Sequence, residues 1–583
     1  MKTTKLYVLL FTALIIVGCE KDFLEVPPTN QFEDPGYWTS EENVKTFAYG
    51  FYPAYFVGYG SGYTWGDYFS GEVLNDDFAP AAPAQFTRVA PSSGGGWDFA
   101  WVRKANIFID RVQLVDMDEE ATAHWTGVGR FFRALEYHDL VSRFGDVPWY
   151  GEEVSEENLE DLYKPRDSRG YVMDQVLADF RYAAENVNQS VENEQQMVDK
   201  SVVLAYMSRI FLFEGTWQKY NEGDTERAAV YLEAAKWAAN EVIESGEFSL
   251  DDYRSVFNSL SLSGNPEVIL YREYEEGVLT HSLNSYNNKE PQTGPSKDAL
   301  EAYLAQDGLP IEISPLYEGD HGVAELFENR DGRMHETFVP YELRVNQTDA
   351  RYSTSGVAVH KFLNEDIADD PIGSSNLNPT DAPIIRYGEV LINYAEAAAE
   401  LATVGGPAIT QADLDKSINV LRSRPEVDLP ALQIAGEMPA VNGQTYDDPD
   451  RDPEVPGIIW EIRRERRVEL MMEGFRNDDL RRWGKYHYVD TVEYPEINMG
   501  AWIDKEVLQA TYPDANLSAI HLADAAGNRL PDSATQGYIV PASSSEVQRT
   551  FDDPRVYLRP LPLDQIKLYN DQGVTLEQNP GWE

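Results

Sequence analysis

The sequence predicts a mainly α protein: a single large α-helical domain with long loop-rich insertions and a few short strands. Three observations carry this. Amphipathic segments of about twenty residues run near 168–188, 198–219 and 225–245, with short breaks between them. Helix pairs repeating every 30–45 residues or so have the form of a tetratricopeptide-like array, although the strict signature of that repeat is absent. Helical segments also lie on both sides of the loop-rich stretches, which favours one domain with insertions over the roughly three or four that length alone would suggest.

The chain opens with Lys2 and Lys5, an apolar stretch from Leu6 to Val17, and Gly18 directly before Cys19, the only cysteine. That is the layout of a secretory signal. The apolar stretch is too short to span a bilayer, which takes about 20 residues. Ile16-Val17-Gly18-Cys19 resembles the lipobox of bacterial lipoproteins, so residues 1–18 are expected to be removed and Cys19 acylated. Residues 19–28 then form an acidic tether stiffened by Pro27-Pro28, and 29–583 form the folded domain. Without a second thiol no internal disulfide is available, and a core must come from the 42% hydrophobic content.

Thr39 and Glu42 read as a capping box ahead of Val44, Phe47, Ala48 and Phe51. The stretch 56–96 is rich in Gly, Pro and aromatics and far longer than an ordinary connection, so it reads as a functional loop. Trp101, Ala105, Phe108, Ile109 and Val112 mark a helix face. Phe131, Ala134, Leu135, Leu140 and Val141 mark the next, stopped by Gly145 and Pro148. From Glu247 to Pro383 loops and short strands dominate, with Val268–Tyr271 the best strand. Helices resume at 385–403, 411–424 and 456–483, a loop-rich stretch covers 490–555, and a strand is expected near Tyr557-Leu558-Arg559 before a short helix from Leu563.

Charge narrows the function. The 48 Lys and Arg face 99 Asp and Glu, a net −51. Such a field repels phosphate backbones and argues against nucleic-acid binding, as it disfavours polyanionic ligands. Solubility is the plain reading of the acidity; bound structural calcium at loops such as Asp448 to Glu454 is a sharper one, although no EF-hand pattern supports it. No Cys pair or His-x-x-x-His offers zinc ligands, and no Gly-x-Ser-x-Gly elbow or Walker-type loop is found. Eight single histidines, among them His281 and His321, read as surface or core residues. Gly58-Tyr59-Gly60-Ser61-Gly62 is a flexible aromatic loop, since no strand and helix of a dinucleotide fold flank it.

Glu461, Glu465, Glu469 and Glu473 recur at i+4, so a continuous helix over 456–483 would stack four carboxylates on one ridge. Like charges at that spacing destabilise one another unless cations answer them. Arg463, Arg464, Arg466, Arg467, Arg476, Arg481 and Arg482 are at hand, which predicts a structural ion-pair network.

ERRVELMMEGFRNDDLRRWGKY resembles the signature helix of the RagB/SusD family of outer-membrane nutrient-binding lipoproteins. GRFFRALEYHDLVSRFGDVPWY, SVVLAYMSRIFLF, NPEVILY, GPSKDALEAYLAQDG, PIIRYGEVLINYAEAAAEL and YLRPLPLDQIKLYN with LEQNPGW follow the family's order, across almost the whole mature chain. The tether CEKDFLE resembles the sorting signal that sends such lipoproteins to the cell surface. Departures are Gly332, where the family often has proline, and Met471-Met472. The resemblance implies four tetratricopeptide-like helix pairs supporting a loop-rich face, and no catalysis. It also implies a surface-exposed, lipid-anchored outer-membrane protein that captures oligo- or polysaccharide. The glycan would pass to a SusC-like TonB-dependent transporter, over which the protein sits as a hinged lid.

The family motifs are scaffold, so ligand residues are sought on physical grounds. Sugars present C–H faces and hydroxyl edges, which flat aromatics and short polar groups recognise. The loop offers Tyr59, Tyr63, Trp65, Asp67, Asn75, Asp77 and Arg88, with Tyr63 and Trp65 the lead platform residues because glycines flank them. Tyr286 and Asn287 form a second group, and Trp502 stands as a third. Trp97, Trp101 and Asn106 are expected in packing roles. A neutral marine glucan suits the acidity better than a sulfated or uronate polymer. A peptide-binding member of the family is the runner-up, and a surface glycoside hydrolase, needing a carboxylate pair ~5–10 Å apart in a cleft, is the third reading.

Overall fold

The computed structural model describes residues 34–64, 66, 68, 74–155, 158–191, 195–288, 294–345, 353–373, 375–542 and 548–582. Cys19, Trp65 and Asp67 lie outside them. Helices α1 (Glu41–Tyr49), α2 (Ala100–Val112), α3 (Glu119–Phe144), α4 (Arg169–Asn186), α5 (Lys200–Trp217) and α6 (Thr225–Ser245) come first. Then follow α7 (Lys297–Glu301), α8 (Tyr387–Ala402), α9 (Gln411–Asp415), α10 (Ile418–Arg422), α11 (Gly457–Glu469), α12 (Arg476–Arg482) and α13 (Leu563–Asp571). The long helices stack serially: α2 on α3, α3 on α4, α4 on α5, α5 on α6, α6 on α8 and α8 on α11.

Local chemistry sets their ends. Asp118, Asp199 and Asp224 accept hydrogen bonds from the first turns of α3, α5 and α6, satisfying backbone donors that lack an intrahelical partner. Gly145, at φ +74°, ends α3. The cap ahead of α1 falls on Ser40, which accepts from Asn43, one residue after the expected Thr39. Phe51 stacks on Phe132 at 4.7 Å, and Phe131 meets Phe180 and Tyr206 edge-on, so aromatic rings knit α3 to its neighbours.

Strands are few. β1 (Val268–Arg272) pairs antiparallel with β2 (Ala382–Arg386), which runs directly into α8. β3 (Gln433–Ala435), β4 (Met438–Val441) and β5 (Gln444–Thr445) form a small meander. β6 (Trp502–Asp504), β7 (Leu522–Ala523) and β8 (Gln536–Ile539) form a sheet in the order β6-β8-β7 within the late insertion. The strand expected at Tyr557-Leu558-Arg559 does not form: Pro554–Tyr557 is a 3-10 turn, because Pro554 fixes a helical φ and cannot donate to a ladder, and Leu558 and Arg559 belong to no strand. Among the described residues no helix is long and apolar enough to cross a membrane.

The helix expected over 456–483 is broken. After Glu469 the chain passes Met472 at φ +68° and Gly474 at φ +86° before α12 begins. Only Glu461, Glu465 and Glu469 share the α11 ridge, and Glu473 reaches the same charges from the turn.

Three imidazoles are strongly biased toward the neutral form by their surroundings. Burial pushes His124 down to about 4, and His138 and His281 down to about 3. A folded-state value depressed below the ordinary one near 6.5 means stability is present above that value and lost as the pH falls. Glu136 and Glu461, raised to about 7 by burial, act in the opposite direction, losing stability as the pH rises. A differential measurement separates the two. His281→Gln should be less stable than the parent near pH ~7 and should lose less stability between pH ~6.5 and ~4. Thermal unfolding across that range checks it, and parallel curves would refute it.

Candidate functional site

The loop face is held on the helical stack by a buried charge network. Arg422 donates to Glu461 (2.9 Å) and Glu465 (2.6 Å), and Arg333 reaches Glu465 (3.0 Å) and Glu469 (3.2 Å). Arg386 pairs with Glu469 (2.7 Å), Glu267 (2.9 Å) and both oxygens of Glu473. Lys361, fully buried, adds a bond to Glu473 at 2.9 Å. Burial opposes ionisation of Glu469, but Arg386, Arg424 and Arg333 together hold its carboxyl well below the usual range. The expected structural network is therefore present, and it spreads well beyond one helix.

From this network two arginines reach out to the loop. Arg467 donates to Asp77 (2.7 Å) and Asp298 (2.6 Å), while Arg476 clasps Asp76 with two bonds of 2.7 Å. Asn75 Oδ1 accepts from the backbone of Asp77 and Phe78. Asn75 and Asp77, expected at the ligand, are thus buried scaffold: their polar atoms are spent on arranging the loop. Tyr59 is corrected likewise. It is 0% exposed, its hydroxyl donates to Phe257 O at 2.8 Å, and its ring lies edge-on to Tyr68, His281 and Phe362.

Tyr63 has the opposite setting, 74% exposed on the turn between Gly58 and Gly66. Tyr274 donates to Gly60 O and Gly62 N to Thr280 O, both at 2.7 Å, so the turn is fixed at its base. Gly66 lies so close to Gly58 and Tyr59 that a Cβ on it would fall 2.0 Å from Gly58 O. Tyr286 and Asn287 lie on the short helix Leu283–Asn288, which leaves the same Thr280–His281 junction that anchors the Tyr63 turn. The side chains of Tyr286 and Asn287 lie outside the described residues. Arg88 is placed apart from them, donating to Asp552 (2.5 Å) and Thr550 O (3.0 Å) on the C-terminal segment.

Other loop bases meet beside this junction. Phe78 bridges Pro295, Ala79 N donates to Gly294 O, and Thr354 Oγ1 donates to Ala79 O. Ala501 N donates to Ser355 O, which joins the β6-β8-β7 sheet to the same face. On that sheet Trp502 is paired in register with Tyr538 and stacks on His321 with centroids 4.5 Å apart and planes 15° from parallel. Tyr538 donates to Asp320 at 2.9 Å. His321, Asp320 and Tyr538 were not expected here from sequence, and no local pattern marks them, since Gly319 and Gly322 on either side approach no distant segment.

Trp97 and Asn106 are buried as expected, and Asn106 Nδ2 donates to Tyr150 O and Glu152 O, both at 2.9 Å. In the acidic loop weighed for calcium, carboxylate oxygens of Glu312, Asp448 and Asp450 lie within 4.8 Å of one another. Asp448 is already engaged by Trp460 Nε1 and Arg464, Asp447 by Arg451 and Asp452 by Lys485. Protein cations thus answer most of that loop's charge.

A family model described as the SusD family matches residues 266–582, and a second, described as starch-binding associating with outer membrane, matches 98–212. The chain belongs to the SusD family. It is similar to SusD-like protein P38 of Formosa agariphila, 24% identical over 82% of this chain and 91% of the relative. Among solved structures it resembles a SusD-like carbohydrate-binding protein from Bacteroides fragilis, with TM-score 0.65, 21% identity, and coverage of 92% of this chain and 98% of that one. It also resembles a laminarin-binding SusD-like protein, with TM-score 0.52, 17% identity, and coverage of 93% and 100%.

Proposed function

We propose that this chain is a cell-surface glycan-binding lipoprotein, anchored in the outer membrane through Cys19, that delivers oligo- or polysaccharide to a TonB-dependent transporter. The observation that carries the reading is the exposed aromatic turn of Tyr63, fixed at its base and set on a rigidly clamped loop face of a SusD-family fold. Binding of this kind needs no catalytic group. The net charge of −51 favours neutral glycans, and the laminarin-binding neighbour is in keeping with a neutral glucan.

Retention of the protein in gels containing neutral glucan, alginate or sulfated galactan tests the ligand. Slowed migration with the neutral polymer alone is expected, and retention by none of them, with binding to peptides, would favour the peptide-binding alternative. Tyr63→Ala should weaken glycan binding at least tenfold, about 1.4 kcal/mol, with an unchanged melting curve because the ring fills no core space. Unchanged affinity would remove Tyr63 from the site. For the anchor, Cys19→Ala should leave the fold intact and abolish partitioning into detergent; unchanged partitioning would refute lipidation. Co-purification of the transporter with the wild-type protein tests the partner.

A further inference from the structure

A cleft of about 650 Å³ opens between the N-terminal end of α2, the residues Tyr150, Glu152, Val154, Leu162 and Tyr163, and the C-terminal helix α13. That volume lies within the range of ordinary small-ligand sites, roughly 300–1,000 Å³. None of its lining residues belongs to the loop face around Tyr63 or to the late sheet bearing Trp502. It is a separate concavity built by the scaffold.

Its walls are aromatic and preset. Phe99 meets Tyr150 edge-on at 5.6 Å, and Tyr163 meets Tyr569 edge-on at 5.2 Å. Tyr150 donates to Leu162 O at 2.8 Å, and the Asn106 bonds to Tyr150 O and Glu152 O fix the floor. Against these rings stand polar groups without a bonding partner among the described residues. The Tyr163 hydroxyl, the Gln565 amide and the Glu152 carboxylate line the cleft and bond to no other side chain or backbone group among the described residues.

Flat rings beside unspent donors and acceptors match a hydroxylated pyranose better than a lipid chain, which would leave the polar groups unanswered. An anionic sugar is disfavoured, because Asp98 and Glu152 line the cleft and the one lining cation, Arg103, already pairs with Glu153 at 3.3 Å. We propose that this cleft is a second binding site for a neutral saccharide, distinct from the loop face. The proposal rests on the glycan-binding reading above. Two sites on one rigid scaffold would let a single long polymer engage both, so that its second contact forms at high effective concentration.

The test uses the full chain purified in detergent and a short oligosaccharide cut from whichever neutral polymer is retained in the gels. Calorimetric titration of the wild type should show two oligosaccharides per chain. Tyr163→Ala removes one ring and the free hydroxyl, and Gln565→Trp, on the outer helix, fills the opening without touching the core. Each should weaken one binding event at least tenfold and leave the other unchanged, while Tyr63→Ala should do the reverse. Long-polymer retention should fall by more than tenfold with either kind of variant. If Tyr163→Ala lowers the melting temperature, Gln565→Trp decides alone. One oligosaccharide per chain, lost on Tyr63→Ala and indifferent to both cleft variants, overturns the second site and leaves the first standing. No binding of any neutral glycan by the wild type overturns both.

Discussion

Glu469→Ala should cost the fold about 3–5 kcal/mol, the range seen when one partner of a buried ion pair is removed and the other is left charged. Glu469 is 0% exposed and faces Arg386, Arg424 and Arg333 at 2.7–3.2 Å. Its removal strands positive charge where no water can reach, although Glu267, Glu473 and Asp331 still hold part of it. The pH dependence follows from the depressed carboxyl. Stability contributed by an acid held below its ordinary value near 4.5 is present above that value and is lost as the pH falls through it. The gap between wild type and Glu469→Ala should therefore be widest near neutrality and narrow in acid. Urea unfolding at several pH values measures it, and a gap independent of pH would contradict the ionic account. Glycan affinity of the folded variant should be unchanged.

Gly332→Ala should be nearly as severe, about 3 kcal/mol or more, at the upper end of what overpacking costs. A Cβ on Gly332 would sit 1.6 Å from the carbonyl oxygen of Glu426 and 3.1 Å from Val427 Cα. Both are backbone atoms, so no side chain can swing aside. The resemblance leads one to expect proline at this position, and proline carries the same Cβ; the close passage of Glu426–Val427 is why glycine stands here. Asp331 and Arg333 flank the site, and Arg333 carries charge to Glu465 and Glu469. Displacing Gly332 therefore loosens the same network that Glu469→Ala disrupts. The double variant should lose less than the sum of the two, since residues that share partners do not act additively. An unchanged melting temperature for Gly332→Ala would show that the two backbones part without cost.

How much of this was legible in the sequence depended on whether the cause was local. Helices α3 to α6 are written in an apolar period that neighbours along the chain share, so their existence and approximate limits could be read directly. The break between α11 and α12 was missed because Met472 takes a left-handed conformation that no rule for methionine suggests, and Gly474 alone was too weak a sign. At the site the difficulty was of another kind. Tyr59 and Tyr63 sit four positions apart in the same glycine-rich run, yet one is enclosed by Phe257, His281 and Phe362 from far along the chain while the other meets solvent. Asn75 and Asp77 look like loop polar groups until Arg467 and the loop's own backbone engage them. His321 and Trp502 form a pair only because the late sheet folds back over the loop near Asp320.

The clamp on the loop also bears on how the chain reaches its native state. Arg476 and Asp76 are joined across 400 positions of sequence, and Arg467 and Asp77 across 390. Contacts of such separation form slowly, because a long loop must close before any bond compensates its lost freedom. A chain exported N-terminus first would present Asp76 and Asp77 long before either arginine emerges. The stack from α2 to α6, made of near neighbours, can assemble in that interval, whereas the loop face can lock only once α11 and α12 have docked. Binding competence is therefore the last property this molecule acquires, and a chain interrupted before residue 457 would be helical without being able to hold its loops.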